Sequence, residues 1–537
     1  MAPVPSASIE RSKGTGEGPS SFPYRVPGQG GPIRFRDAVG FGAGDFYGGG
    51  NQVINASYVA LFWTRFCGLN IQTAQGILGS AAFVSALAAL CFGAFGDGLF
   101  RHRLGRRFGR RHLILAVSCP LILFGILLWV PGLPAWAYLA VFMIWIVTTQ
   151  LFQTAYGALP NEMTEDYQDR TLLTTTRLFI STLSCTLIPL VASGVLALLG
   201  EGRALSYQVF GMGFTLLFCL AVFHTWRTTW ELTPSQAGYG QDGQTAAGGN
   251  PEGHGRPALT WWRHLARMGR EYLSTLRIAT FRRHLAIYLL VQMSMDAFGG
   301  TFMFFVLFDW DRSATFGSLM LSSVFISLPL MPLFGKAVNT IGPKRLYAIN
   351  FAGCLTGVAW LTASWLLAGH LKDPAWTIFT VLGCLFFFAF KSLCGFIPWS
   401  VFPLIADVDQ IITGKNRSAT FGGLQSCLRQ ICSGVVTTSI GLILAASGFD
   451  ASRPSQPRGA QLTLAALLLG WFALNMSICW VISRRLDIDR RTDGILAAET
   501  SRLRAGGSKA DVDPETRAVV EDLTGLPYSA VESYEKG

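Results

Sequence analysis

Apolar residues in this chain come in runs of about 20, the length a helix needs to cross a hydrocarbon core. The runs fall at 40–63, 74–97, 112–130, 135–158, 172–199 and 207–225, then at 284–308, 315–335, 346–368, 375–404, 419–447 and 460–483. Backbone in lipid must bond within its own segment, so each run is expected to be a helix. The period-two alternation of a membrane barrel is missing. The expected fold class is therefore an all-α membrane protein of twelve transmembrane helices. Composition agrees: half of the 537 residues are hydrophobic and 14% are charged. That is too little polar surface to cover a soluble core of this size.

A net charge of +11 suggests nucleic acid until its placement is read. Arg101, Arg103, Arg106, Arg107, Arg110 and Arg111 crowd the connection after the second run, and Arg484, Arg485, Arg490 and Arg491 follow the twelfth. The connection at Pro131–Trp136 carries no charge. This asymmetry orients spans, with both termini expected in the cytoplasm, and it excludes a nucleic-acid partner. The expected location is the cell (inner or plasma) membrane, as a multi-pass protein. The polar start has no secretory-signal pattern. Eleven cysteines sit almost entirely inside apolar runs, with no CxxC pair, so neither a metal nor a disulfide framework is expected.

The chain divides into an N-terminal tail (1–38), a first six-helix bundle (39–226), a linker (227–283), a second six-helix bundle (284–483) and a C-terminal tail (484–537). Gln244–His254 is Gly-rich and reads as flexible. Trp261–Leu276 has the spacing of a helix lying along the membrane surface. A weak repeat links the halves: Gly93-Ala-Phe-Gly-Asp97 with Phe108-Gly-Arg-Arg111, against Gly335 with Ile341-Gly-Pro-Lys-Arg345. Duplicated bundles of this kind are common in transporters, with the substrate site between them near mid-membrane.

Four segments resemble the glycoside–pentoside–hexuronide:cation symporters (the melibiose permease-like family) of the major facilitator superfamily. They are Gly42-Ala-Gly-Asp-Phe46, Arg107-Phe-Gly-Arg-Arg111, Ala158 to Thr171 followed by Arg177, and Ala406-Asp-Val-Asp409 with Thr413-Gly-Lys-Asn-Arg417. The resemblance implies that superfamily's fold, with a sugar or glycoside moved by alternating access in a monomer. It departs in places. The family's two span-two aspartates fall on or near Ser85 and Ala89, its span-four aspartate near Gln153, and its span-eleven lysine on Gln430. Hard cations want several carboxylate oxygens, so a proton is favoured over sodium as the coupling ion, whose identity stays open. No cofactor is expected.

An ionisable side chain inside a span costs about 2.5–3.5 kcal/mol on insertion scales, so each needs a reason. By resemblance Asp45 and Arg177 would bind substrate hydroxyls; alternatively they are an ion pair that only holds the bundle. Tyr47, Tyr156 and Trp399 are candidate platforms for a sugar ring. Asp296, Lys391 and Arg429 are the candidates for coupling. Asp97, Arg110, Arg111, Glu162, Asp166 and Arg170 cluster at span ends and are expected to gate. The alternatives are a carrier for a non-sugar solute or lipid, an uncoupled facilitator, a channel, or a membrane enzyme. No filter-like segment, catalytic constellation or phosphate-binding Gly-x-x-x-x-Gly-Lys-Ser/Thr loop supports the last two or an ATP-driven pump.

Overall fold

The computed structural model describes residues 33–99, 103–164, 166–231, 269–270, 272–413, 418–486, 490–505 and 507–530. Among them eleven helices are long and apolar enough to cross a membrane. Spans two to twelve are Ile71–Gly98, Arg110–Trp129, Ala135–Met163, Tyr167–Leu199, Ala204–Thr228, Ala279–Phe308, 314–341, Pro343–Leu366, Ala375–Thr413, Ser418–Ala446 and Arg458–Ser483. Span one is pieced together from Phe35–Gly42, Gly44–Ile54, a π-turn at Asn55–Val59 and Ala60–Phe66. It carries Asp37, Asp45, Asn51, Gln52 and Asn55, so it is not apolar along its length. Several helices outrun their apolar cores. Span ten continues to Thr413 because hydropathy marks the part in lipid, whereas hydrogen bonding decides where a helix stops.

The even number of spans puts both ends of the bundle and the central connection on one side, here called the terminal face; the other is the distal face. The structure places the internal repeat in the backbone. Gly109, before span three, has φ 82° and ψ 151°; Gly342, before span nine, has φ 83° and ψ 154°. A side chain would strain that conformation at both positions.

The halves meet where span two crosses span eleven and where span five meets span eight. Small residues permit the first crossing. A Cβ on Gly79 would lie 2.1 Å from Thr438 Oγ1 and 2.8 Å from the Gly434 carbonyl oxygen, and one on Gly441 would lie 2.7 Å from Gln75 Cβ. Gly299 of span seven faces Ala56 in the π-turn of span one. On the distal face Glu201, from the connection after span five, accepts the Thr315 backbone N–H at 3.1 Å at the start of span eight. A carboxylate of one half thus caps a helix N-terminus of the other, where the helix dipole favours negative charge.

Asp309, just past span seven on the same face, has both carboxylate oxygens buried and outside hydrogen-bond geometry. Burial outweighs the neighbouring Trp365 and pushes its pKa up from 3.8 to about 7. A raised carboxylate pKa means that this buried arrangement holds the proton more tightly than an exposed one does. Its stability is therefore full at acid pH and falls as pH rises from 3.8 through about 7. Asp309→Asn is expected to flatten that stretch of a melting-temperature profile; an unchanged slope would count against this account.

The C-terminal tail forms two helices, Arg490–Arg504 and Pro514–Thr524, which pack against spans seven and ten. Val520, Leu523 and Tyr528 are buried, and Thr280 Oγ1 donates to the Leu523 carbonyl at 2.5 Å. Residues 232–268, which include the Gly-rich linker and the first half of the expected surface helix, lie outside the described residues.

Candidate functional site

A cavity of about 380 Å³ lies between the halves, lined from spans one, two, four, seven and eleven. Small-molecule sites commonly enclose about 300–1,000 Å³. Eight lining side chains are amides: Asn51, Gln52, Asn55, Gln75, Gln150, Gln153, Gln292 and Gln430. Ser85, Thr149, Ser433 and Thr437 add hydroxyls, and Tyr288 and Phe142 add rings. The charged lining residues are Asp296 and Arg429, and they neutralise each other. Arg429 donates Nη1 to Asp296 Oδ2 at 2.7 Å and Nη2 to Oδ1 at 2.8 Å. Both side chains are 15% exposed. The cavity is therefore polar, rich in groups that both donate and accept, and close to neutral.

Span one and span four build one wall. The Asn51 Oδ1 accepts from Trp145 Nε1 at 2.7 Å and from Asn55 Nδ2 at 2.9 Å. Thr149 Oγ1 bonds the Tyr47 hydroxyl at 2.7 Å and accepts from Asn51 Nδ2 at 3.3 Å. Tyr47 is fully buried behind this wall, edge-on to Trp145 and Phe152.

Asp45 and Arg177 do meet: Arg177 Nε is 3.3 Å from Asp45 Oδ2, and Nη2 is 3.5 Å from Oδ1. The guanidinium lies over the Tyr156 ring, 4.8 Å from its centroid, and the Tyr156 hydroxyl donates to the Phe41 carbonyl at 2.9 Å. This pair sits beside the cavity, not in its lining. Its link is Gly48, where a Cβ would fall 2.3 Å from Asp45 Oδ1 and 2.7 Å from Gln153 Nε2. Spans one and seven run parallel and touch at Ala56 and Gly299. With a rise of 1.5 Å per residue, Asp45 therefore lies ~12 Å nearer the terminal face than Asp296. Each half contributes one carboxylate–guanidinium pair, from its first and fifth helices, and the two pairs sit at different depths.

Other sequence candidates are dispersed. Trp399 is 54% exposed and edge-on to Tyr288, with ring centroids 5.7 Å apart, so it backs a lining residue without entering the cavity. Lys391 points its Nζ at the rings of Phe298 (5.1 Å) and Phe388 (5.4 Å). Glu162 Oε1 accepts from Arg110 Nη2 at 2.7 Å and Arg111 Nε at 3.0 Å, tying span four to span three. Asp166 caps span five through Gln168 N and Asp169 N, and Arg170 Nε donates to the Thr164 carbonyl. The side chain of Asp97 lies outside the described residues. Sequence reasoning missed the amides of the lining and also Glu231, whose Oε2 accepts the backbone N–H of Arg111 at 2.5 Å and of His112 at 3.1 Å. The signal for the amides was present, as polar residues inside apolar runs.

Helical bundles that enclose a polar cavity near mid-membrane are the architecture of a membrane transporter. Residues 40–490 match the family described as MFS/sugar transport protein, and the chain belongs to that family. It is a multi-pass membrane protein and a secondary transporter, not an enzyme. Its fold resembles that of a D-xylose-proton symporter, with a TM-score of 0.56, 14% identity, and coverage of 83% of this chain and 97% of that one. A transporter of the POT family, solved with 5-aminolevulinic acid, gives 0.55 at 12% identity, covering 85% and 96%. An uncharacterized symporter of Synechocystis sp. (strain ATCC 27184 / PCC 6803 / Kazusa) is 36% identical over 66 residues; the match spans 12% of this chain and 12% of that protein.

Proposed function

We propose that this protein carries a neutral polyhydroxylated solute, a sugar or glycoside, by alternating access, driven by protons and not by sodium. The observation that carries the reading is the amide-rich, charge-balanced lining of the cavity. An amide offers both a donor and an acceptor to each hydroxyl, and a fixed ion pair leaves no net charge to attract an ionic substrate. The resemblance to the glycoside–pentoside–hexuronide symporters points the same way. Three positions where this chain departs from them, Ser85, Gln153 and Gln430, line the cavity as neutral groups. One carboxylate, already held by Arg429, is a poor cage for sodium but an adequate acceptor for one proton.

In this reading Asp45 and Arg177, with Tyr156 under the guanidinium, form the end of the substrate path nearer the terminal face. Tyr47 braces the wall, and Trp399 sets the tilt of Tyr288. Asp296, Arg429 and Lys391 couple the proton. Asp97, Arg110, Arg111, Glu162, Asp166 and Arg170 work the gate on the terminal face. The protein acts as a monomer in the inner or plasma membrane, with its terminal face in the cytoplasm, where the arginine-rich connection belongs. Reconstituted protein should take up at least one member of a neutral sugar panel under a proton gradient. It should respond weakly to sodium and ignore a hexuronate of equal size. Asp45→Asn and Asp296→Asn should each reduce that flux by about tenfold or more, the loss of roughly 1.4 kcal/mol of binding or coupling. Flux indifferent to both changes would remove the site assignment.

A further inference from the structure

Span seven carries a polar stripe that continues past the cavity to a residue the carrier reading does not use, His284. His284, Tyr288, Gln292 and Asp296 recur at every fourth residue, so they stack on one face of the helix from the terminal face into the cavity. Tyr288, Gln292 and Asp296 line the cavity, and Gln292 Nε2 donates to the Tyr288 hydroxyl at 3.4 Å. His284 lies below them, fully buried, its ring parallel to that of Tyr288 with centroids 6.4 Å apart. Neither ring nitrogen of His284 makes a hydrogen bond of good geometry, and the polar group set against it is the Gln425 amide. Gln425, beside it on span eleven and 1% exposed, has neither end of its amide satisfied. An imidazole and an amide facing each other in a buried place without a well-formed hydrogen bond are costly unless something polar enters between them. A water molecule, or the proton it brings, is the smallest such visitor.

We infer that the His284–Tyr288–Gln292 stripe is the route by which a proton travels between the terminal face and Asp296. This inference rests on the carrier reading and names its coupling path. His284 takes a proton on one ring nitrogen and releases one from the other. Water held by the Tyr288 hydroxyl and oriented by the Gln292 amide passes it on. It ends on an Asp296 oxygen, so the carboxylate becomes a neutral carboxylic acid and Arg429 keeps its charge without its counter-ion. The freed guanidinium then has donors for substrate hydroxyls. Among the described residues, the charged or titratable groups turned toward the stripe from packed elements are few. They are Arg429 and Cys432 on span eleven; Lys391, over the Phe298 ring, and Cys479, whose thiol meets the Ile287 carbonyl, contact span seven at residues outside the stripe. Around His284 itself the neighbours are Gln425 and the Phe402 ring.

The test uses the full chain in proteoliposomes with His284→Gln, and Gln425→Leu as an independent second variant. Sugar counterflow, which moves no net proton, should persist in both. Accumulation driven by an imposed pH gradient, and the proton influx accompanying it, should fall by about a hundredfold, the low end of what a positioned proton donor contributes. The infrared carbonyl band of protonated Asp296, identified by its loss in Asp296→Asn, should appear more slowly after a pH jump in both variants. Wild-type proton influx and wild-type band kinetics in either variant would overturn the inference. A wild-type protein that moves sugar without protons would also overturn it while leaving the carrier reading intact. A protein that moves no sugar would defeat the carrier reading, and the band kinetics would still decide the route. Should His284→Gln fail to fold, Gln425→Leu and the band kinetics carry the same decision.

Discussion

Arg429→Met will leave a protein that inserts but melts early and does not transport. The change removes both donors from a bidentate pair whose side chains are 15% exposed, and it strands the Asp296 carboxylate in the wall of the cavity. Removing one partner of a buried pair typically costs about 3–5 kcal/mol, because the remaining charge has lost its compensation. The loss here should fall near the lower figure, since the cavity admits water to one side of the pair. The companion experiment is the double variant Asp296→Asn with Arg429→Gln, which keeps the shape and removes both charges. It should recover most of the melting temperature, because two amides can bond each other where the ions did. It should not recover gradient-driven uptake, because no proton acceptor is left. Thermal melts in detergent and flux in proteoliposomes read the two effects separately. Equal melting of the single and double variants would mean that the pair holds nothing together.

Gly79→Leu should act on conformation instead of binding. The obstruction at that position is backbone: the Gly434 oxygen lies 2.8 Å and the Thr438 nitrogen 2.9 Å from where a Cβ would sit. A rotamer change cannot relieve such a clash, so spans two and eleven must part on the distal side. Overpacking a close contact costs about 1–3 kcal/mol. Applied to one of two conformations, that shifts their ratio by about five- to 150-fold toward the arrangement open at the distal face. Spin labels at Gln72 and Ala446, both exposed near that crossing, should move apart in the variant, and counterflow should slow. A label distance identical to wild type would show that the crossing is not what closes the distal side.

Much of this architecture was legible in the residues, for a physical reason. A bilayer imposes a fixed length on every segment that crosses it, so the twelve runs could be counted without any knowledge of packing. Asp45 and Arg177 were found because a charge in lipid stands out even in one dimension, and the structure brings them into contact. The cavity was not legible in the same way. Asn51, Gln75, Gln150 and Gln430 come from four different helices, and an uncharged amide in a span is not rare enough to mark a site by itself. Only the crossing of the helices makes them one lining. The carboxylates of Glu201 and Glu231 were equally silent, since each caps a helix distant in sequence. The second tail helix could have been read. Asp513 before Pro514 is a helix-start signal, and its side chain accepts from Glu515 N and Thr516 N; Gly525 ends the helix with φ 70°. The tail's high charge obscured it.

Because the tail helices are fastened to spans seven and ten, they are carried along by the second half as a rigid passenger. An optical reporter on exposed Asp522, paired with another on the first half, would therefore read the rocking of the molecule during turnover from outside the bilayer. No probe need touch the substrate path, so motion could be timed in the unmodified pathway once the exposed Cys91 is replaced.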